Sequence, residues 1–238
     1  QTLEWMDLQL RAPKEYRMKL EVVFEDDVLA VINKSPGIEV SGNKFKTVEN
    51  ALSGSLAPST QPDALPWPRP VHRLDYSTSG LLVVAKTASA QVFLGKAFEE
   101  RRVKKRYGAV VSGKLRSPGT VVLPANGQPA HSDYAIRTIV PSLRSGHLTQ
   151  VDLFPITGRT HQLRIHMAAI GHPIVGDRKY GTEGNVLKGK GLFLAAGELR
   201  LPHPATHEVM TASIDVPPKF DSLLHREETR WGKFNGGA

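Results

Sequence analysis

From Leu20 onward the chain alternates short apolar runs with turn signals, and few of those runs carry a helical period. Glu21-Val22-Val23-Phe24-Glu25 and Val28-Leu29-Ala30-Val31-Ile32-Asn33 are β-type runs joined at Asp26-Asp27, which predicts a hairpin. Leu81-Leu82-Val83-Val84-Ala85 is a continuous apolar run with β-branched residues, bounded by Gly80 and Lys86, and reads as a buried strand. Further strands are predicted over 107–111, 120–123, 134–140, 148–154, 192–195 and 209–214.

Two stretches follow a 3.6-residue period. Thr87 caps a helix running to about residue 101, with Ala90, Phe93, Leu94, Ala97 and Phe98 on one face. Thr160 reads as the N-cap of a second helix and Gly171 as its C′ residue, with Leu163, Met167 and Ile170 packing inward. Strands dominate and no steady βαβ alternation appears. The class is therefore α+β, with a mixed, mostly antiparallel sheet flanked by a few helices. Residues 58–70 hold five prolines and read as irregular. Residues 1–18 read as a linker or the remnant of an upstream domain, 19–220 as the folded unit, and 221–238 as a loosely held polar tail.

Composition narrows the chemistry. With no cysteine, a thiolate nucleophile and every cysteine-based zinc site are excluded. No apolar run approaches the ~18 residues of a membrane span. The 31 Lys and Arg against 23 Asp and Glu give a formal charge of +8, which favours an anionic partner such as RNA. Five cations crowd residues 101–106, more than the macrodipole of the preceding helix calls for. A reducing compartment, the cytoplasm, fits the lack of cysteine.

Two stretches carry candidate chemistry. Arg69-Pro70-Val71-His72-Arg73-Leu74-Asp75-Tyr76-Ser77-Thr78-Ser79-Gly80 is a loop feeding the buried strand, and it places a carboxylate within four residues of two potential cations. Far downstream, Arg164 lies one turn into the second helix, beside its apolar stripe. A guanidinium so placed needs a partner, and Asp75 is the natural one. Three other readings fail on spacing. His161 and His166 are five apart and do not align as metal ligands on one helical face. Gly42-Asn43-Lys44-Phe45-Lys46-Thr47 lacks the ending of a phosphate-binding loop. Ser77 and Ser79 lack the elbow of a serine hydrolase.

These stretches together resemble the RluA family of RNA pseudouridine synthases. His72-Arg73-Leu74-Asp75 with Thr78-Ser79-Gly80-Leu81-Leu82-Val83-Val84-Ala85-Lys86 is similar to that family's catalytic motif. Lys105-Arg106-Tyr107-Gly108-Ala109-Val110-Val111 resembles its tyrosine motif, and residues 157–166 with 171–177 its arginine motif. The order and spacing agree over roughly residues 20–217. Many members carry an S4-type RNA-binding domain upstream, which this sequence does not include. Val40-Ser41-Gly42-Asn43 also departs from the Val-x-His-Pro that members often show there. The first difference bears on binding mode and the second on target choice; neither touches the chemistry.

The resemblance implies a pseudouridine-synthase-like fold with a catalytic cleft across the sheet, and a monomer that isomerises uridine in rRNA or tRNA. Asp75 would act at the ribose as nucleophile or base, Arg164 would hold it charged, and Tyr107 would stack on the base and help remove the C5 proton. His72, Arg73 and Arg159 would hold phosphate or fill the space left by the flipped base, and Leu163 would buttress the pocket floor. No cofactor, metal or membrane is implied. The rival is a catalytically inactive RNA-binding module of the same fold, which would tolerate loss of Asp75 and Tyr107.

Overall fold

The computed structural model describes residues 16–182, 186–187 and 189–235. Most of the segment expected to be a linker therefore lies outside the described residues. The chain folds as β1 (Glu21–Glu25), β2 (Leu29–Lys34), α1 (Val48–Leu52), β3 (Ala64–Pro70), β4 (Ser79–Thr87), α2 (Ala88–Glu99), β5 (Lys104–Ser112) and β6 (Gly119–Val122). There follow β7 (His131–Ser142), β8 (Gly146–Pro155), α3 (Gln162–Ala169), β9 (Leu194–Pro202), β10 (Val209–Ser213) and α4 (Lys219–Asn235).

One sheet holds all ten strands, in the order β1-β2-β4-β9-β5-β8-β7-β6, with β10 on β9 and β3 on β4. Every pairing is antiparallel except β4 with β9, which meet through two residue pairs, Ser79 with Ala195 and Gly80 with Ala196. That short parallel seam joins two antiparallel halves, and the Asp75 loop opens directly beside it. Only glycine fits at position 80: its φ is +113°, and a Cβ there would lie 2.3 Å from the Ala196 carbonyl oxygen.

The expected β1–β2 hairpin is present, its turn closed by Asp26 Oδ1 accepting from the Val28 and Leu29 N–H groups at 2.8 and 2.9 Å. β2 and β4 are buried on both faces and sort their side chains by the two-residue period. Ala30, Ile32, Leu82 and Val84 face Ala51 and Leu52 of α1, whereas Leu29, Val31, Leu81 and Val83 face Ala90, Leu94 and Ala97 of α2. Thr87 caps α2 as expected, accepting from the Ala90 N–H at 3.2 Å. A third cluster packs Met167 of α3 and Phe220 and Leu223 of α4 against β5, β8 and β9.

Three expectations are corrected. The proline-rich stretch contains β3, an edge strand on β4 with an irregular register between Ala64 and Arg69. Prolines at 66, 68 and 70 are tolerated because only one side of an edge strand needs donors. The supposed polar tail is mostly α4, which buries Phe220, Leu223, Leu224 and Glu227 at i, i+3, i+4 and i+7. Glu227 accepts from the Ser142 hydroxyl at 2.8 Å, tying this helix to β7. Finally, the residue preceding α3 is His161, not Thr160, and it caps with no side-chain bond and a left-handed φ of 58°. The C-terminal signal does hold: Gly171 follows the Ile170 cap at φ +80°.

Candidate active site

The Asp75 loop, the start of β5 and the segment leading into α3 enclose a cleft of roughly 620 Å³, the size of a small-molecule site. Asp75, Tyr107, Arg164, His72, Arg73, Arg159 and Leu163 all line it. Residues distant in sequence are thus brought together by the β4–β9 seam and by β5 beside it.

Asp75 is about a quarter exposed, and its Oδ2 receives Arg164 Nη1 at 3.5 Å. Arg164 is buried, and its closer partner is Asp177, not Asp75. Its Nε and Nη2 donate to Asp177 Oδ2 and Oδ1 at 2.7 and 2.9 Å, a two-point pairing that fixes the guanidinium plane. Asp177 Oδ1 also accepts from the Lys179 and Tyr180 N–H groups, and the Tyr180 ring lies 5.2 Å from the guanidinium. Burial works against the ionised form of Asp177. Arg164 and the two N–H groups outweigh it and hold the carboxyl below the usual carboxylate range. The sequence reading missed Asp177 as the anchor, although a buried arginine generally requires a two-oxygen acceptor.

Beneath the loop Lys34 is fully buried. Its ammonium donates to the carbonyls of Ser35 at 2.9 Å and Ile38 at 3.0 Å, and reaches that of Tyr76 at 3.5 Å. Burial pushes its pKa down to about 8, with the Asp75 charge pulling the other way. It therefore stays largely charged at neutral pH and stitches the loop to β2. Nothing local marks it: a lysine closing an apolar strand reads as a solvated end.

Tyr107 faces the cleft from β5, and burial, then the nearby Asp75 charge, push its phenol up, so it remains protonated. His72 is held by protein: its Nε2 accepts from the Val83 N–H at 3.0 Å and its ring stacks on Phe98 at 4.5 Å. Burial, then Lys105, push its pKa down to about 3, so it is a neutral ring at the cleft wall. Arg73 is exposed, with no side-chain ion pair among the described residues. Arg159 lies three residues before α3, its Nε donating to the Pro129 carbonyl at 3.3 Å. Leu163 is buried in the core beside Met167. His166 has both ring nitrogens engaged, with Ser132 Oγ and the Leu123 carbonyl.

The basic run, which leads from the end of α2 into the start of β5, divides between two surfaces. Arg106 turns away to Glu198 and Asp152, and Arg102 pairs with Glu100 and covers Phe93. Arg101 and Lys105 face the cleft. Burial, then the charges of Arg101 and Lys104, push the Lys105 pKa down, as crowded cations do. A carboxylate beside cations that pair with no described carboxylate suits a ligand with both a reacting carbon and phosphates.

Residues 28–169 match the family described as RNA pseudouridylate synthase. The chain belongs to that family. The match takes in Asp75, Tyr107 and Arg164 and stops short of Asp177, the partner that the structure adds. Among family members, the dual-specificity RNA pseudouridine synthase RluA of Haemophilus influenzae is 35% identical over 209 residues, covering 81% of this chain and 91% of that protein. The ribosomal large subunit pseudouridine synthase D of Nitrosomonas europaea is 36% identical over 229 residues, 86% of this chain. The aligned region is 64% of that relative's length. A solved structure, human RNA Pseudouridylate Synthase Domain Containing 1, superposes with a TM-score of 0.71 at 28% identity, covering 86% of this chain and 87% of its own. The pseudouridine-synthase fold expected from the three motifs is thus observed.

Proposed function

We propose that this chain isomerises uridine in ribosomal or transfer RNA to pseudouridine. The observation that carries the reading is the placement of Asp75: a carboxylate oriented by a buried arginine, in a nucleoside-sized cleft it shares with Tyr107 and with cations that pair with no described carboxylate. Asp75 acts at the ribose, as nucleophile on C1′ or as a base. The N1–C1′ bond breaks, the uracil turns while still bound, and a C5–C1′ bond forms. C5 gives up its proton and N1 gains one, so the reaction is redox-neutral and calls for no redox cofactor. A hydrolase would need a second carboxyl to activate water. Here retention of the uracil makes one sufficient.

Arg164 orients Asp75 where the bound RNA excludes water. Tyr107 stacks on the base; being protonated, its phenol takes up the C5 proton only as it passes its own on. A uridine within folded RNA must leave its stack, which costs a few kcal/mol. Arg73, Arg101, Lys105 and Arg159 offset that cost by meeting backbone phosphates, while the neutral His72 ring shapes the wall. The protein acts as a cytoplasmic monomer, independent of metal and membrane. Among the described residues no helix is long and apolar enough to cross a membrane.

The reaction releases the C5 hydrogen, so tritium appears in water when transcripts labelled at uridine C5 are the substrate. We expect release from an unmodified large-subunit rRNA or tRNA transcript, undiminished by EDTA on an RNA whose fold survives it. No release from either transcript contradicts the reading.

A further inference from the structure

Among the described residues, His161 and Arg101 are the two non-glycine residues lining the cleft with a left-handed backbone, and only His161 lies beside Asp75. Its φ of 58° is left-handed, a region that residues other than glycine seldom adopt outside sites that demand it. The surrounding segment is over-determined. Gln162 Oε1 accepts from the Thr157 hydroxyl at 2.6 Å and the Arg159 N–H at 3.0 Å. The Gln162 amide donates to His131 O and Ser132 Oγ, both at 2.8 Å, and Asn126 donates to the Thr160 carbonyl at 2.7 Å. These bonds hold the backbone in a conformation that carries the His161 ring into the cleft.

The ring is aimed at both ends. Its Nδ1 lies 3.0 Å from the Tyr180 hydroxyl, and its Nε2 lies 3.8 Å from Asp75 Oδ2. Asp75, Asp177, Arg164, Lys179 and Tyr180 are the charged and titratable groups around it. Burial, opposed by Asp75 and assisted by Arg164 and Lys179, pushes the imidazole down, so the ring is neutral and carries a single N–H. A carboxylate faces Nε2, so that nitrogen carries the hydrogen and Nδ1 accepts from Tyr180. Arg164 and His161 then address the same oxygen, Oδ2, and Oδ1 takes no hydrogen bond from any described residue.

We propose that His161 is a positioning residue for Asp75. Tyr180 fixes its tautomer, its Nε2–H joins Arg164 in holding Oδ2, and Oδ1 is thereby the oxygen that meets the ribose. The 3.8 Å separation exceeds hydrogen-bond length and shortens when RNA fills the cleft, as catalytic contacts commonly do on substrate binding. The inference rests on the reading of Asp75 as the reacting group.

His161→Gly tests it, because glycine adopts this backbone freely and the variant should fold. Single-turnover tritium release from an rRNA transcript should fall by about a hundred-fold, the scale of a misplaced reacting group, with RNA affinity kept within about two-fold. Added imidazole should restore part of the rate. Tyr180→Phe alone should slow the wild-type protein but cost nothing further in the His161→Gly background. An undiminished His161→Gly rate overturns the inference. So does a loss that imidazole leaves untouched, or a Tyr180→Phe effect that persists without the histidine. Absence of release by the wild-type protein is a different failure: it removes the reading of Asp75 and takes this inference with it.

Discussion

Two sets of cations meet in one cleft and are treated in opposite ways. Arg164 is buried and bonded at two points to Asp177, and only its remaining nitrogen reaches Asp75. Arg73 and Arg101 stand at the rim, with no side-chain ion pair among the described residues. The inner charge is balanced before any ligand arrives, so it can orient a carboxylate without moving. The outer charges have no such partner among the described residues, and on the proposed reading they meet phosphate. On the proposed function this division separates groups that preorganise the chemistry from groups that hold the substrate, and substitutions should fall into the same two kinds.

Arg164→Met should have the largest effect. It strands two carboxylates, one of them fully buried, and should destabilise the fold by ~3–5 kcal/mol while reducing turnover more than about a hundred-fold. Combining it with Asp177→Leu should recover part of the stability in urea titrations but none of the activity. A double variant as unstable as the single one would show that the pair is not the structural unit.

Arg73→Ala should leave stability unchanged and act through the substrate. If Arg73 helps extrude the uridine, the single-turnover rate on a structured stem-loop should fall about ten-fold more than on a short single strand of the same local sequence, equivalent to ~1.4 kcal/mol of unstacking. Equal losses on both RNAs, with a shallower salt dependence of binding, would make it a phosphate contact only.

Arg101→Gly should have the smallest effect and a divided one. Arg101 sits just past α2 at φ 59°, a position where glycine is favoured. The substitution should raise stability by ~1 kcal/mol, a few degrees in melting temperature. RNA binding should weaken, with the salt slope falling by about one. Unchanged binding would remove Arg101 from the substrate surface.

What could be read in advance followed from local chemistry. The β1–β2 hairpin, the Thr87 cap and the apolar run of β4 each carry their signal within a few residues. The Asp75 loop stood out because it concentrates charge ahead of a rigid strand, and motif order linked it to Tyr107 and Arg164. The misses share a different cause. β3 reads as irregular because its prolines are acceptable only at a sheet edge, which is a tertiary fact. Polar composition concealed the Phe220, Leu223, Leu224 and Glu227 stripe of α4. Asp177 and Lys34 acquire their roles only when the chain buries them, and the left-handed His161 depends on Asn126 and Gln162 clamping its segment.

The central claim is that Asp75 performs the chemistry while other groups carry the binding. Asp75→Asn keeps the shape of the side chain but removes its ability to act as nucleophile or base. Pseudouridine in RNA digested after incubation with this variant, measured by mass spectrometry alongside RNA affinity, tests that claim directly. The account predicts affinity within a few-fold of wild type and no pseudouridine. Appreciable turnover by Asp75→Asn would contradict it.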